Sequence, residues 1–235
     1  MEKLWEFSGE TKQSGNITLK RIKLAKDCKW GYAGELGGWI EKESNLTESA
    51  WVYGDAQVYG DARVYGNAQV YGNAQVYGDA RVYGNARVCG NARVCGDAWV
   101  SGNAQVYGDA QVYGDAHVYG NAQVYGDARV YGNARVCGNA RVCGDAWVSG
   151  NAHVSGDARV SGDAWEKSPL QIQGTKHFVN RATKTKVQIG CKCFEIDVWL
   201  NIFRSIGLAE GYTQEQVEEY GLYLELIKKI IESEK

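Results

Sequence analysis

Hydrophobic and polar residues alternate with a fixed period of six along the middle of the chain. Valine recurs at every sixth position from Val52 to Val160, and alanine stands two positions before each valine. In the segment A-x-V-Y, alanine and valine point to one face of an extended strand, and the other two residues point to the opposite face. Glycine followed by aspartate or asparagine supplies a corner, because these residues tolerate positive φ. The pattern predicts short strands joined by tight corners, with valine and alanine inside.

A short period repeated this often indicates a solenoid. Six residues per side suit a triangular coil of about 18 residues per turn, with roughly six coils stacked about 4.8 Å apart. The repeat Val52-Tyr53-Gly54-Asp55-Ala56-Gln57 resembles that of hexapeptide-repeat proteins. This resemblance implies a left-handed parallel β-helix. We therefore predict a mainly β fold of this kind with a small α+β module at its C-terminal end.

The repeat divides the chain into three parts. We predict an N-terminal lead-in and cap over residues 1–50, the β-helix over 51–165 and a C-terminal module over 166–235. A strand is expected at Ile17–Leu24, and a hairpin is expected from residues 177–182 and 185–189. Two helices should follow the hairpin.

The first helix is expected at about Glu195–Ile206, ending at Gly207. The second begins with the capping-box pattern Thr213-Gln-Glu-Gln216. Its apolar residues recur at helical spacing, at Val217, Tyr220, Leu224, Ile227 and Ile231.

Charge is nearly balanced, with 26 Lys and Arg against 28 Asp and Glu. Nucleic-acid binding is therefore not expected. We find neither an apolar run of membrane-spanning length nor a secretory leader, so no membrane association and a cytoplasmic location are expected. The seven cysteines form no CxxC pair, which favours reduced thiols and no metal site. No cofactor is expected.

Residues 18 positions apart should stack along the coil axis. Two corner columns are then acidic, and they contain Asp61, Asp79, Asp97 and Asp115 in one and Asp109, Asp127, Asp145 and Asp163 in the other. These ladders would form an acidic edge that mimics a phosphate backbone or gathers cations. The alternative is that aspartate simply suits the corner conformation.

Many hexapeptide-repeat proteins are acyltransferases, which carry a histidine base and a loop extruded from the coil. This chain has no insertion between Val52 and Val160, and His117 and His153 occupy positions that hold Gln or Arg in other repeats. We predict no catalytic residues and a non-enzymatic protein. An acyltransferase with a site between subunits is the main alternative, and an acidic mimic of nucleic acid is a further one.

An internal copy bears on the same question. Residues 70–104 are identical to residues 118–152, an offset of 48. On a coil of 18 residues per turn, the copy faces a different side. We infer that coil number and length matter more than the outward side chains of any single repeat.

The two ends of the chain resemble hexapeptide-repeat proteins that are often encoded by bacteriophages and prophages. The resemblance rests on the lead-in residues Gly34, Leu36-Gly37-Gly38-Trp39-Ile40-Glu41, Asn45-Leu46 and Trp51-Val52-Tyr53, and on the tail residues Lys176-His177-Phe178, Ile189-Gly190-Cys191, Trp199-Leu200, Ile206-Gly207, Gly211-Tyr212-Thr213 and Glu219-Tyr220. It implies a β-helix of uncertain activity in a host cytoplasm.

The tail is the least repetitive part and is where we expect specific recognition. Its candidate binding residues are basic or aromatic, and they are His177, Arg181, Lys184, Lys186, Lys192 and Trp199. They would form a patch for an acidic protein surface or a nucleotide. Alternatively, exposed lysines on a hairpin edge protect against aggregation.

Together these observations predict a rigid binding or scaffold protein that self-associates as a dimer or trimer. We expect it to present its C-terminal module to a host protein and to interfere with a host antiviral system. A small acidic ligand held between the faces of associated rods is a second expected partner.

Overall fold

A computed structural model of the chain describes residues 3–47 and 49–234. Short parallel strands stack in three sheets, one for each side of a triangular coil. Partners in adjacent turns lie 18 residues apart, as in the pair Val58 and Val76. The predicted fold class is confirmed, with about seven turns rather than six. The left hand of the coil stays a prediction.

The hairpin and coil strands are β1 (Trp5–Ser14), β2 (Ile17–Leu24), β3 (Leu36–Ile40), β4 (Trp51–Val52), β5 (Gln57–Val58), β6 (Arg63–Val64), β7 (Gln69–Val70), β8 (Gln75–Val76), β9 (Arg81–Val82), β10 (Arg87–Val88), β11 (Arg93–Val94), β12 (Trp99–Val100), β13 (Gln105–Val106), β14 (Gln111–Val112), β15 (His117–Val118), β16 (Gln123–Val124), β17 (Arg129–Val130), β18 (Arg135–Val136), β19 (Arg141–Cys143), β20 (Trp147–Val148), β21 (His153–Val154), β22 (Arg159–Ser161) and β23 (Ala164–Trp165). The module contains β24 (Gln171–Gln173), β25 (Phe178–Arg181), β26 (Lys186–Ile189), β27 (Lys192–Glu195), α1 (Ile196–Ala209) and α2 (Gln214–Ser233). A 3-10 turn spans Glu43–Asn45.

The coil interior consists of the repeated valines and alanines. From Val52 to Val160 none of them has exposed surface. The corners are glycines with φ between +57° and +72°, and they are packed closely against the next turn. A Cβ added to Gly90 would lie 2.9 Å from backbone atoms of Gly108. Glycine is therefore required at the inner corners both for its conformation and for its small size.

The N-terminal end of the coil begins before the expected boundary. Strand β3 pairs in parallel with β5, and Leu46 bridges to Val64, so residues within 1–50 already form the first turn. The antiparallel pair β1 and β2 extends this side of the coil, and Trp5 and Ile22 are buried with Trp51. The predicted strand Ile17–Leu24 is confirmed as β2.

The C-terminal end of the coil is closed by Trp165. Its partner is Val148, 17 rather than 18 residues earlier, so the last turn is one residue short. Trp165 therefore takes the place that valine holds in every other turn, and it is 8% exposed. The Arg181 guanidinium lies over its ring at 5.3 Å from the centroid. A large ring closes an end that valine would leave open to water.

The module packs four antiparallel strands against the two helices. The predicted capping box of Thr213 and Gln216 and the buried stripe of α2 are confirmed. The predicted helix end at Gly207 is wrong, because α1 continues to Ala209. Gly207 is buried against α2, where an added Cβ would lie 2.9 Å from Val217. Within the described chain neither helix has the length and hydrophobicity needed to span a membrane.

The outward residues form ladders along the axis, as the 18-residue spacing predicts. Tyr59 and Tyr77 stack with ring centroids 5.0 Å apart. One corner carries a chain of amides in which each Asn Nδ2 donates to the next Oδ1 at 2.9–3.4 Å, through Asn67, Asn85, Asn103, Asn121, Asn139 and Asp157. Lys29 donates to Asn67 at its first end. The ladder thus runs from an ammonium to a carboxylate, an arrangement in which every amide dipole points the same way.

Candidate functional site

The candidate site is a cleft where the last turns of the coil meet the C-terminal module. Arg141 on β19 and Arg159 on β22 are paired in register on one wall. The cleft has a volume of about 330 Å³. Its other lining residues are mostly polar, and they are Asn139, Asp157, Gln173, Lys176, His177, Phe178, Asn180, Gln188 and Gly190.

The module is fixed to the coil by hydrogen bonds that imitate a further turn. The Asn180 side chain donates from Nδ2 to the Arg159 carbonyl at 2.7 Å and accepts from the Arg159 N–H at 3.4 Å. The Ser161 N–H donates to Ala182 O at 3.0 Å. Phe178 packs against Gly156, where its ring would lie 3.2 Å from an added Cβ. The cleft therefore has fixed walls on both sides.

The two guanidinium groups give the cleft its charge. Within the described residues neither Arg141 nor Arg159 forms an ion pair with a carboxylate. The one acid in the cleft, Asp157, accepts a hydrogen bond from Asn139 at 2.9 Å. The Lys176 ammonium is held by the carbonyls of Glu210 and Gly211 at 2.7 and 3.0 Å, at the end of α1 where a cation is favoured.

His177 separates the cleft from a second, apolar cavity. That cavity has a volume of about 50 Å³ and is lined mainly by residues of α1, α2 and β26, with His177 and Gly190 shared between the two spaces. His177 Nδ1 lies 2.6 Å from the Tyr212 hydroxyl, and the two rings stack. Burial is the main cause that raises the pKa of Tyr212 to about 12. Tyr212 is therefore a neutral phenol that fixes the imidazole orientation.

The structure separates the six binding residues that the sequence suggests. His177, Lys192 and Trp199 line the apolar cavity, and of these only His177 reaches the cleft. Arg181 is 2% exposed and makes a two-pronged contact with Glu234 at 2.8 and 2.9 Å. Lys184 lies beside Arg181 at another surface depression.

The remaining lysines of that group contact acids of the module. Lys186 lies 3.9 Å from Glu195, and Lys192 lies 3.0 Å from Glu210. The Lys192 contact lowers the pKa of Glu210 and raises that of Lys192. Trp199 is buried and donates from Nε1 to the Val187 carbonyl at 2.7 Å. These residues are placed to hold the module together, and no single surface gathers them.

The eight aspartates of the acidic ladders stay at the coil corners. Asp61 accepts from Lys42 at 2.6 Å, and this hydrogen bond lowers the pKa of Asp61. Asp109 accepts from Asn91 at 3.0 Å, and Asp163 accepts from the Lys184 N–H. None of the eight lines a cavity described above. No group of three or more His, Cys, Asp or Glu suited to a metal ion occurs among the described residues.

The two histidines of the coil occupy different environments. The His117 ring stacks on Trp99 with centroids 5.0 Å apart, and burial lowers its pKa. The His153 ring contacts the sulfur of Cys137. All seven cysteines are free thiols.

Comparison with known proteins agrees with this architecture. Seven segments of the coil match the model of the YdcK beta solenoid repeat, at residues 56–72, 74–90, 86–102, 104–120, 110–126, 122–138 and 134–150. They cover about two fifths of the chain. No curated protein matches it. The fold and the match define a β-solenoid repeat protein.

The arginine pair was missed because arginine is common in the repeat. Arg141 and Arg159 are 18 residues apart, and both precede the point where the repeat ends. This spacing is visible in the sequence. What the sequence does not contain is the position of β25, which closes the cleft above them.

Proposed function

We propose that this β-solenoid repeat protein is a non-enzymatic binding protein whose C-terminal cleft recognises an anionic group. The observation that carries the proposal is the pair of stacked guanidinium groups, Arg141 and Arg159, in a cleft where neither has a carboxylate partner among the described residues. The coil serves as a rigid rod that holds this end in a fixed orientation.

Electrostatics favours an anion between the two arginines. Two positive charges one strand spacing apart repel by roughly 1 kcal/mol in water and by about 3–4 kcal/mol at an effective dielectric constant of 20. A phosphate or carboxylate group relieves this repulsion and accepts hydrogen bonds from both planar guanidinium groups. The volume of about 330 Å³ lies at the lower end of the range for small-ligand sites.

The anionic group could belong to a small phosphorylated molecule or to an acidic surface of a host protein. The resemblance of the chain ends to phage-encoded proteins supports the host protein. On that basis, binding would block a component of a host antiviral system. Self-association of the rod as a dimer or trimer is part of the same proposal, and it would present several identical ends to one target.

Titration calorimetry with inorganic pyrophosphate at low ionic strength tests the anion site. We expect one binding event per chain. The double variant R141Q/R159Q should bind at least tenfold more weakly, since each lost charge-assisted hydrogen bond contributes about 1.5–3 kcal/mol. Glutamine is a suitable replacement because Gln105 and Gln123 occupy the same ladder.

A matched control comes from another side of the coil. Arg63 and Arg81 are also paired in register, but they line no cleft with the module. R63Q/R81Q should therefore leave pyrophosphate affinity unchanged. Absence of binding by the unmodified chain, or equal weakening in both double variants, would refute the proposed site.

Two further ligands separate the sources and the alternative function. A glutamate-rich peptide that displaces pyrophosphate supports a protein partner, and displacement only by nucleotides supports a small ligand. Acetyl-CoA binding that is abolished by His117→Ala or His153→Ala would instead favour an acyltransferase.

A further inference from the structure

A thiol and an imidazole lie in contact on the six-stranded side of the coil. The Cys137 sulfur, just after β18, is 3.2 Å from Nε2 of His153 on β21. The thiol is partly exposed and the histidine is exposed. A base within hydrogen-bond distance of a thiol is the arrangement that converts the thiol into the nucleophilic thiolate.

The surroundings fix this pair and favour a negative charge on sulfur. The His153 backbone donates from N–H to Ser168 Oγ at 2.9 Å, and its carbonyl accepts from Gln171 at 3.0 Å. Arg135 is paired in register with His153. Tyr119 in the preceding turn hydrogen-bonds to the Cys137 sulfur, a contact that raises the pKa of Tyr119.

The internal duplication supplies a comparison within the same chain. Cys89 is the copy of Cys137, and it is also hydrogen-bonded to a tyrosine of the preceding turn, Tyr71. The residue 16 positions further along is Gln105 for Cys89 but His153 for Cys137. The two thiols thus share their local repeat, and the imidazole is a principal difference between them.

We propose that Cys137 is a modification site, a thiol activated by His153 for exchange with low-molecular-weight disulfides. Nε2 accepts the thiol proton, and the thiolate attacks one sulfur of the disulfide. The bond between the two sulfurs of the reagent breaks as the new mixed disulfide forms. The second sulfur leaves as a thiolate and takes the proton from the imidazolium, so no further oxidant is needed.

The expected acceleration follows from the thiolate fraction. Lowering a thiol pKa by one unit from about 8.5 raises the thiolate fraction at neutral pH about eightfold. The weaker nucleophilicity of the more acidic thiolate reverses about threefold of this gain. We therefore expect exchange about threefold faster at Cys137 than at Cys89.

The test requires chains with one thiol each, because the tryptic peptides Val88–Arg93 and Val136–Arg141 are identical in sequence. One variant keeps Cys137, the other keeps Cys89, and the remaining six cysteines become serine. Serine already occupies this ladder position at Ser101 and Ser155. The probe is dithiodipyridine, and the absorbance of released thiopyridone gives the rate.

His153→Gln in the Cys137 chain should lower its rate to that of the Cys89 chain, and Gln105→His should raise the Cys89 rate by the same factor. Thiolate absorbance at neutral pH should change about eightfold in parallel. Equal rates for the two single-thiol chains, or a Cys137 rate that His153→Gln leaves unchanged, would overturn the proposal. Circular dichroism confirms that every variant keeps the coil.

Discussion

Replacing Gly90 by alanine should destabilise the coil more than replacing Gly144, although both glycines belong to one corner column. Their φ angles are similar, at +69° and +58°. A Cβ at Gly90 would lie 2.9 Å from the nitrogen and oxygen of Gly108, whereas a Cβ at Gly144 would meet nothing within 4 Å. Gly144 ends the column because the last turn is one residue short and leaves no corner above it.

The two substitutions share one cost and differ in another. A left-handed backbone costs a residue with a Cβ roughly 1–2 kcal/mol, and this applies at both positions. Forcing a methyl group against a neighbouring turn adds about 1–3 kcal/mol, because the contacted atoms are backbone and cannot rotate away. We expect the free energy of unfolding to fall by about 1–2 kcal/mol for Gly144→Ala and about 2–5 kcal/mol for Gly90→Ala.

Urea unfolding followed by circular dichroism measures both losses. Repeat arrays can unfold in segments, so the comparison is valid only where the dependence on urea concentration is equal for the two variants. Losses that agree within about 0.5 kcal/mol would show that only the backbone conformation matters at these corners. The argument from stacking would then be wrong.

Two further predictions concern the coil edge and the module. Asn103→Ala removes two hydrogen bonds of the amide ladder, each 3.1 Å long, and should lower the free energy of unfolding by about 1 kcal/mol; Asn133→Ala, at another corner, is the control and should change it less. Arg181 lowers the pKa of Glu234, so this contact stabilises the module above the ordinary glutamate pKa and is lost as pH falls through the lowered value. Urea midpoints measured from neutral pH to pH 3 should therefore show a smaller acid-induced loss in Glu234→Gln, and an unchanged loss would contradict this origin.

The period of the sequence determined the coil almost completely. Valine and alanine alternate on one face of each side, so only that face can be buried, and the spacing of 18 fixes which residues stack. The capping box at Thr213 and the apolar stripe of α2 were equally readable, because both depend on local spacing. Such features follow from the residues near one another in the chain.

The ends and the cleft were decided by tertiary structure. Gly207 reads as a helix end, but it permits close packing of α1 against α2. Trp165 closes the coil because one residue is missing from the last turn, and a period alone cannot show where it stops counting. Arg181 reads as a surface cation, but its partner Glu234 is 53 residues away. Arg141 and Arg159 likewise become a site only when β25 lies above them, since contacts between distant segments leave no periodic signal in the chain.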